Sequence, residues 1–386
     1  MRAARPAQPG PRQSFGGRIE RWLARLWWRD APGVAARLLW PLSCLYGGLS
    51  ALHRWFAGAP VPTPVPVIVV GNLVVGGAGK TPIVIALVQA LQAAGWRPGV
   101  IARGHGREEP AAHEAGEAGA RAVRARAAHP ARAAHRAAVA RVTPDSTARE
   151  VGDEPLLVHR RTGVPVFVGR KRADVAAALC AAHPSVDVIV SDDGLQHHAL
   201  ARAAEVVVFD DRGAGNGLLL PAGPLRQPLP AVLPGGMQVV YSGRRASTAL
   251  TGTFVPRTAR QAVPLQAWRA GTSTGSLPLG SLRGRRLSAL AGIGAPEQFF
   301  SMLEAAGLEI ERLPSRDHAD YVRAPWPDGT AEVVTTEKDA VKLAALPDLR
   351  ATVWVVPLDC ELPAALLHDL LAQLPPAKGR PQEPHR

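Results

Sequence analysis

Four clusters in this chain have residue types and spacings suited to chemistry. Gly76-Gly77-Ala78-Gly79-Lys80-Thr81 sets three glycines before a lysine and a hydroxyl. Backbone free of Cβ atoms can close around phosphate oxygens at a helix N-terminus while Lys80 reaches the outer phosphates and Thr81 offers its hydroxyl to Mg²⁺. The strict form of this pattern asks for glycine six residues before the lysine, and Val74 stands there, followed by Val75. Asp192-Asp193 follows Ser191 and a largely apolar, strand-like stretch over 186–190, where a carboxylate can hold Mg²⁺ or its water. Asp153-Glu154 lies between Gly152 and Pro155, a turn that fits either a ligand-facing pair or plain helix capping. Asp317-His318, on a loop, could orient or transfer a proton.

These clusters need strands that end side by side. The β-branched run 67–70 suits a strand buried on both faces, and 81–94 then carries apolar residues at helical spacing. Further strands are expected at 99–103, 164–168, 186–190, 206–210 and 238–242, with a helix-like piece at 156–160. The fold class this predicts is α/β: a P-loop type, mainly parallel sheet with helices on both faces and its ligand at the carboxyl ends of the strands. Arg170, Lys171 and Arg172 open a helix with three cations, which oppose its macrodipole and call for an anion or for solvent. His197-His198 has no cysteine or spaced third ligand and is not read as a zinc site.

The domain plan that follows is a tail and membrane-surface helices over 1–60 and a P-loop core over 61–243, with a low-complexity Ala/Arg/His insertion at about 108–141. An extended Ser/Thr/Gly/Pro linker spans 244–284, a smaller α/β domain 285–375 and a tail 376–386.

The 386 residues carry 45 Lys+Arg against 32 Asp+Glu, a net charge of +13, which suits nucleic acid, an anionic membrane or a phosphorylated substrate. With 5% aromatic residues and no zinc or RNP-like spacing, nucleic acid is set aside. Three scattered cysteines, Cys44, Cys180 and Cys360, form neither a disulfide framework nor a CxxC site, which fits a reducing compartment. Over 18–29, Arg18, Arg21, Arg25 and Arg29 share one helical face while Trp22, Leu26 and Trp27 gather on another, the pattern of an interfacial anchor. The uncharged stretch 38–52 would reach roughly 22 Å as a helix, short of the ~30 Å hydrocarbon core, so it is expected to lie in the interface.

From about residue 40 to the last expected helix, the chain resembles the tetraacyldisaccharide 4′-kinases. The resemblance rests on VGNLVVGGAGKTP, ARGHG, VGDEP, VGRKR, SDDGLQHH, GNGLLLPAGPLR, RDHADY and TTEKDAVKL, in that order. It implies a two-domain P-loop lipid kinase on the cytoplasmic face of the bacterial inner membrane. Such an enzyme moves the ATP γ-phosphate to the 4′-hydroxyl of tetraacyldisaccharide 1-phosphate, giving lipid IVA. ATP and Mg²⁺ would be the cofactors, and no obligate protein partner is implied. By motif, residues 74–81 hold the nucleotide, Thr81, Asp192 and Asp193 the metal, and Asp153 acts as base with His318. Arg170, Arg172, Gln196, His197 and Arg226 would line the substrate or phosphate region. The family's RGYG tyrosine is His105 here, the Phe of its DDGFQH is Leu195, and the Glu after its PLR is Gln227. A membrane-associated switch ATPase or GTPase is the alternative. The partitioning-ATPase lysine is Val75 here, however, and neither DxxG nor NKxD fits.

Overall fold

The computed structural model describes residues 15–56, 58–107, 139–243, 245–317 and 319–375. His318, the tail 376–386 and nearly all of the 108–141 insertion lie outside them. The chain forms two compact bodies.

The first body joins the N-terminal helices to Leu73–Val75 and Arg212–Pro230. Helix α1 (Phe15–Trp27) is followed by α2 (Val34–Phe56), 23 residues that continue through Pro41 and Gly47-Gly48. Among the described residues no helix is long and apolar enough to cross a membrane. Leu38, Leu42, Leu45, Leu49, Leu52 and Phe56, spaced three and four apart, are all exposed. The other side of the helix pair meets the Pro/Gly-rich loop. That loop has almost no ladder of its own, so its carbonyls take side-chain donors. Trp27 Nε1 donates to Pro221 O at 2.8 Å, Ser43 Oγ to Leu219 O at 2.7 Å and Tyr46 OH to Arg226 O at 2.9 Å. Asn216 is buried and donates to Leu26 O and Ala222 O. The stretch before the phosphate turn belongs here too: Val75 N donates to Pro224 O and Arg226 N to Leu73 O.

The second body begins with β1 (Val67–Gly71), α3 (Lys80–Ala93) and β2 (Pro98–Ala102). Next come β3 (Ala140–Arg141), α4 (Ala148–Val151), α5 (Asp153–Thr162) and β4 (Val166–Val168). Then follow α6 (Arg172–Ala182), β5 (Val188–Asp192), β6 (Ala204–Phe209), β7 (Met237–Tyr241) and β8 (Thr253–Phe254). They make an eight-stranded sheet in the order β3-β4-β2-β5-β1-β6-β7-β8, parallel except for β3. The chain leaves β1, skips one place to β2, and fills the gap later with β5, so Val70 comes to pair with Asp192. That register puts the phosphate turn and the aspartate doublet at neighbouring strand ends, where open α/β sheets hold their ligands. Helix α3 buries Ile83, Val84, Leu87, Val88 and Leu91 because it lies between the sheet and α5.

The remainder supplies β9 (Arg257–Thr258), β10 (Gln261–Pro264), α7 (Leu265–Arg269), β11 (Leu277–Pro278), β12 (Leu287–Ala291) and α8 (Pro296–Ala305). It ends with β13 (Ile310–Pro314), β14 (Glu332–Thr336), α9 (Glu337–Leu343), β15 (Thr352–Val356), β16 (Asp359–Cys360) and α10 (Ala364–Ala372). The second sheet runs β11-β10-β15-β14-β12-β13, with β9 and β16 paired separately. Residues 245–284, read as extended from sequence, thus give β8 to the first sheet and β10 and β11 to the second. Strands of two to four residues are too short for alternation to register. Within this body Arg161 ties α5 to the second sheet, donating to Glu337 at 2.6 Å and Asp359 at 2.5 Å.

Candidate active site

The turn after β1 is shaped by backbone that only glycine holds easily. Gly76 has φ +83° and Gly79, which caps α3, has φ +73°. A Cβ at Gly76 or Gly77 would meet nothing within 4 Å, so the turn is open on that side. Asn72, buried at the end of β1, stiffens it by donating to Gly76 O at 3.0 Å. Lys80 Nζ donates to Asn72 Oδ1 at 3.3 Å and stands 3.3 Å from Asp193 Oδ1. Gln196 donates to Asn72 O, which places it as a brace of this strand end.

Asp192 is buried, and its Oδ1 has no hydrogen-bond partner. Burial pushes this carboxyl up to about 7; Glu154 adds to the rise and Lys80 opposes it. An orphaned buried carboxylate oxygen beside Asp193 suits a hard cation. Mg²⁺ needs only one or two carboxylates where phosphates and water complete its shell. No group of three or more His, Cys, Asp or Glu that could hold a metal exists among the described residues.

The basic residues separate by depth. Arg172 is buried, its guanidinium donating to Gly169 O at 2.6 Å and Asp192 O at 3.3 Å, so it braces the doublet from inside. Burial lowers its pKa to about 10 while Asp192 and Asp193 oppose the fall. Arg170 is exposed on the same turn. His197 is half-buried; burial, then Arg172 and Arg103, hold it down to about 4, so its ring is neutral near pH 7. Arg226, Val74 and Val75 belong to the first body.

Asp153 opens α5. Gly152 before it has φ +92°, and a Cβ there would stand 3.0 Å from His105 O, so the ARGHG and VGDEP turns touch through backbone. The Asp153 side chain is buried, with Oδ1 accepting from Glu154 N at 3.0 Å. Two lysines of α9 approach its Oδ2: Lys338 at 3.9 Å and Lys342 at 3.8 Å. Lys338 also reaches Glu154 at 3.1 Å and Asp317 at 2.9 Å. Burial lowers its pKa, but Glu154, Asp153 and Asp317 outweigh burial and raise it, so it stays charged. The base of α9 is fixed by Asp339, which is fully buried and accepts from Gly292 N, Tyr321 OH and Thr336 Oγ1 at 2.7–2.9 Å.

One more glycine relates the two ends of the site. A Cβ at Gly294 would lie 3.4 Å from Gly77 N and 3.3 Å from Asp317 Oδ2. The tip of the phosphate turn and the carboxylate held by Lys338 therefore flank the same point. Neither α9 lysine was assigned a role from sequence, although Lys-x-x-x-Lys in TTEKDAVKL puts both on one helical face. Leu195 packs in the core against Gly71.

The parallel sheet, the Gly-Lys-Thr turn ending β1 and the carboxylates ending its neighbour define an α/β protein of the P-loop type. The family model for tetraacyldisaccharide-1-P 4′-kinase matches residues 35–126 and 131–375. A tetraacyldisaccharide 4′-kinase from Methylibium petroleiphilum is 45% identical over 381 residues, covering 96% of this chain and 98% of that one. Another, from Leptothrix cholodnii, is 45% identical over 376 residues, covering 95% and 98%. The crystal structure of LpxK from Aquifex aeolicus in complex with ATP superposes with a TM-score of 0.64 at 23% identity, covering 88% of this chain and 99% of that one. This chain belongs to the tetraacyldisaccharide 4′-kinase family.

Proposed function

We propose that this chain transfers the γ-phosphoryl group of ATP to the 4′-hydroxyl of tetraacyldisaccharide 1-phosphate, forming lipid IVA. The observation that carries the reading is the common point flanked by Gly77 of the phosphate turn and by Asp317, whose lysine partner also holds Asp153 and Glu154. Phosphoryl transfer asks mainly for positioning and charge neutralisation. In this reading residues 74–81 hold the triphosphate and Lys80 exchanges Asp193 for phosphate oxygen. Thr81, Asp192 and Asp193 would hold Mg²⁺, which would supply charge neutralisation to the transferring phosphoryl group. Asp153 accepts the proton of the sugar hydroxyl, with His318 as its partner by resemblance to the family. Arg170, His197 and Arg226 serve the substrate and its phosphate, while Arg172 and Gln196 act through the strand ends they brace. The exposed apolar stripe of α2 and the tryptophans of α1 rest on the cytoplasmic face of the inner membrane, where the acyl chains are.

The test is incubation with γ-labelled ATP, Mg²⁺ and tetraacyldisaccharide 1-phosphate in detergent micelles. Label should enter the lipid, and Lys80→Met should cut the rate by about two orders of magnitude or more. Release of free phosphate with no labelled lipid would overturn the kinase reading in favour of a switch ATPase.

A further inference from the structure

Lys342 has no part in the reading above, yet its setting is unusual. Its side chain is 6% exposed and its ammonium makes no hydrogen bond. A buried ammonium with three unused donors is costly unless its charge is needed. It lies 3.8 Å from Asp153 Oδ2 and 3.6 Å from Asp339 Oδ1, with the Tyr321 ring centre 5.2 Å away. Asp339 is bonded to the neutral donors of Gly292, Tyr321 and Thr336, so Lys342 stands between two buried carboxylates and serves both. On its other side Lys342 borders a cavity of about 120 Å³, shared with Asp153, His105, Ala148 and Arg149.

Charge balance around Asp153 shows what Lys342 adds. Facing this region are Glu154 of α5, Asp317, Asp320 and Tyr321 from the loop after β13, Asp339 and Lys338 of α9, His105 and Arg149. Arg149 is paired with Asp320 at 2.9 Å, and Lys338 is divided among Asp153, Glu154 and Asp317. Tyr321 contributes no charge, because burial, then Asp339, raise its pKa. Lys342 thus adds a second lysine charge beside Asp153 Oδ2.

We propose that Lys342 is a positioning residue for the acceptor step: its unbonded ammonium keeps Asp153 ionised beside the cavity, in the state that takes a proton. This rests on the reading of Asp153 as the proton acceptor. An opposite charge within ~4–6 Å lowers a carboxyl pKa by about 1–3 units, and removing it gives that back.

The experiment compares kcat/KM for the lipid acceptor from pH 5 to 9.5 in wild type, Lys342→Met and Lys342→Arg, with Asp153→Asn as control and ATP affinity measured alongside. Lys342→Met should move the acidic limb up by about one unit or more, a loss of roughly tenfold on that limb that shrinks towards high pH. Lys342→Arg should leave the limb near wild type, and ATP affinity should stay within about threefold. If Lys342→Met does not fold, Lys342→Gln gives the same readout. A loss that is uniform across pH, or a limb moved equally by Lys342→Arg, overturns the proposal and leaves Lys342 a packing residue. Failure of the base reading shows separately, as Asp153→Asn retaining most of its turnover.

Discussion

Replacing Arg161 with methionine strips a buried carboxylate of its cation, and the structure allows the cost to be worked out. Glu337 is 6% exposed and accepts from Arg161 at 2.6 Å, Trp268 Nε1 at 3.0 Å and Leu358 N at 3.3 Å. Breaking a buried pair by removing one partner costs about 3–5 kcal/mol. Because Glu337 keeps its indole and amide donors, the lower end applies, about 3 kcal/mol near pH 8. Asp359, the other carboxylate of Arg161, is 48% exposed, and losing that contact adds well under ~1 kcal/mol. The cost is pH-dependent with a defined sign. Burial raises the Glu337 pKa; Arg161 and then Trp268 pull it partly back. A carboxyl whose folded pKa lies above its unfolded value weakens the fold as pH rises through that interval. Lys, Arg and His partners lost from such a carboxyl widen the interval, so the penalty of Arg161→Met should fade as pH falls towards the ordinary carboxyl range. Urea unfolding followed by tryptophan fluorescence, with Trp268 adjacent to the change, should show a midpoint lower by about 1 M at pH 8 and a smaller loss at pH 5. Adding Glu337→Gln should recover most of the difference. A loss below ~1 kcal/mol, a loss equal at both pH values, or no recovery in the double variant would refute the argument.

Two further outcomes are expected. The His197 ring should titrate near pH 4 by NMR, well below the ordinary histidine value, since burial and then Arg172 and Arg103 disfavour its charge. Its contribution to stability is present above the unfolded value and is lost as pH falls from there through about 4; a ring titrating at 6 to 7 would contradict the described packing. Changing Leu38, Leu45 and Leu49 together to Glu should reduce co-sedimentation with anionic vesicles by about tenfold or more, because each exposed leucine has roughly 1.5–3 kcal/mol to gain from an apolar phase. Unchanged sedimentation would remove the membrane role from α2.

Much of the site was legible because local pattern and tertiary role coincide. The run Val67–Gly71 is β-branched and fully buried, the glycines after it take positive φ, and the helix begins at Lys80. Asp192 could be found because the apolar Val188-Ile189-Val190 of β5 stops one residue, Ser191, short of the carboxylates. Lys338 and Lys342 carried no such mark: lysines one turn apart normally lie on a solvated face, and only the packing of α9 against α5 brings them to Asp153. Arg172 read as one of three cations calling for an anion or for solvent and, by resemblance, as lining the substrate or phosphate region, while the fold turns it inwards to the Asp192 carbonyl. Pro41 and Gly47-Gly48 are residues of low helix propensity inside α2. The helix runs on, with Ser43 and Tyr46 fastened to distant carbonyls, an instance of tertiary contacts overriding propensity.

Those fastenings have a consequence for how the N-terminal helix pair can be altered. Trp27, Ser43, Tyr46 and Asn216 join the helix pair to a loop nearly two hundred residues later, and the same loop grips Leu73 and Val75 just ahead of Gly76. The hairpin is therefore not a detachable tether. An unrelated amphipathic helix pair grafted in its place would leave the carbonyls of Leu219, Pro221 and Arg226 without these donors. The segment that enters the phosphate turn would lose its mooring along with them.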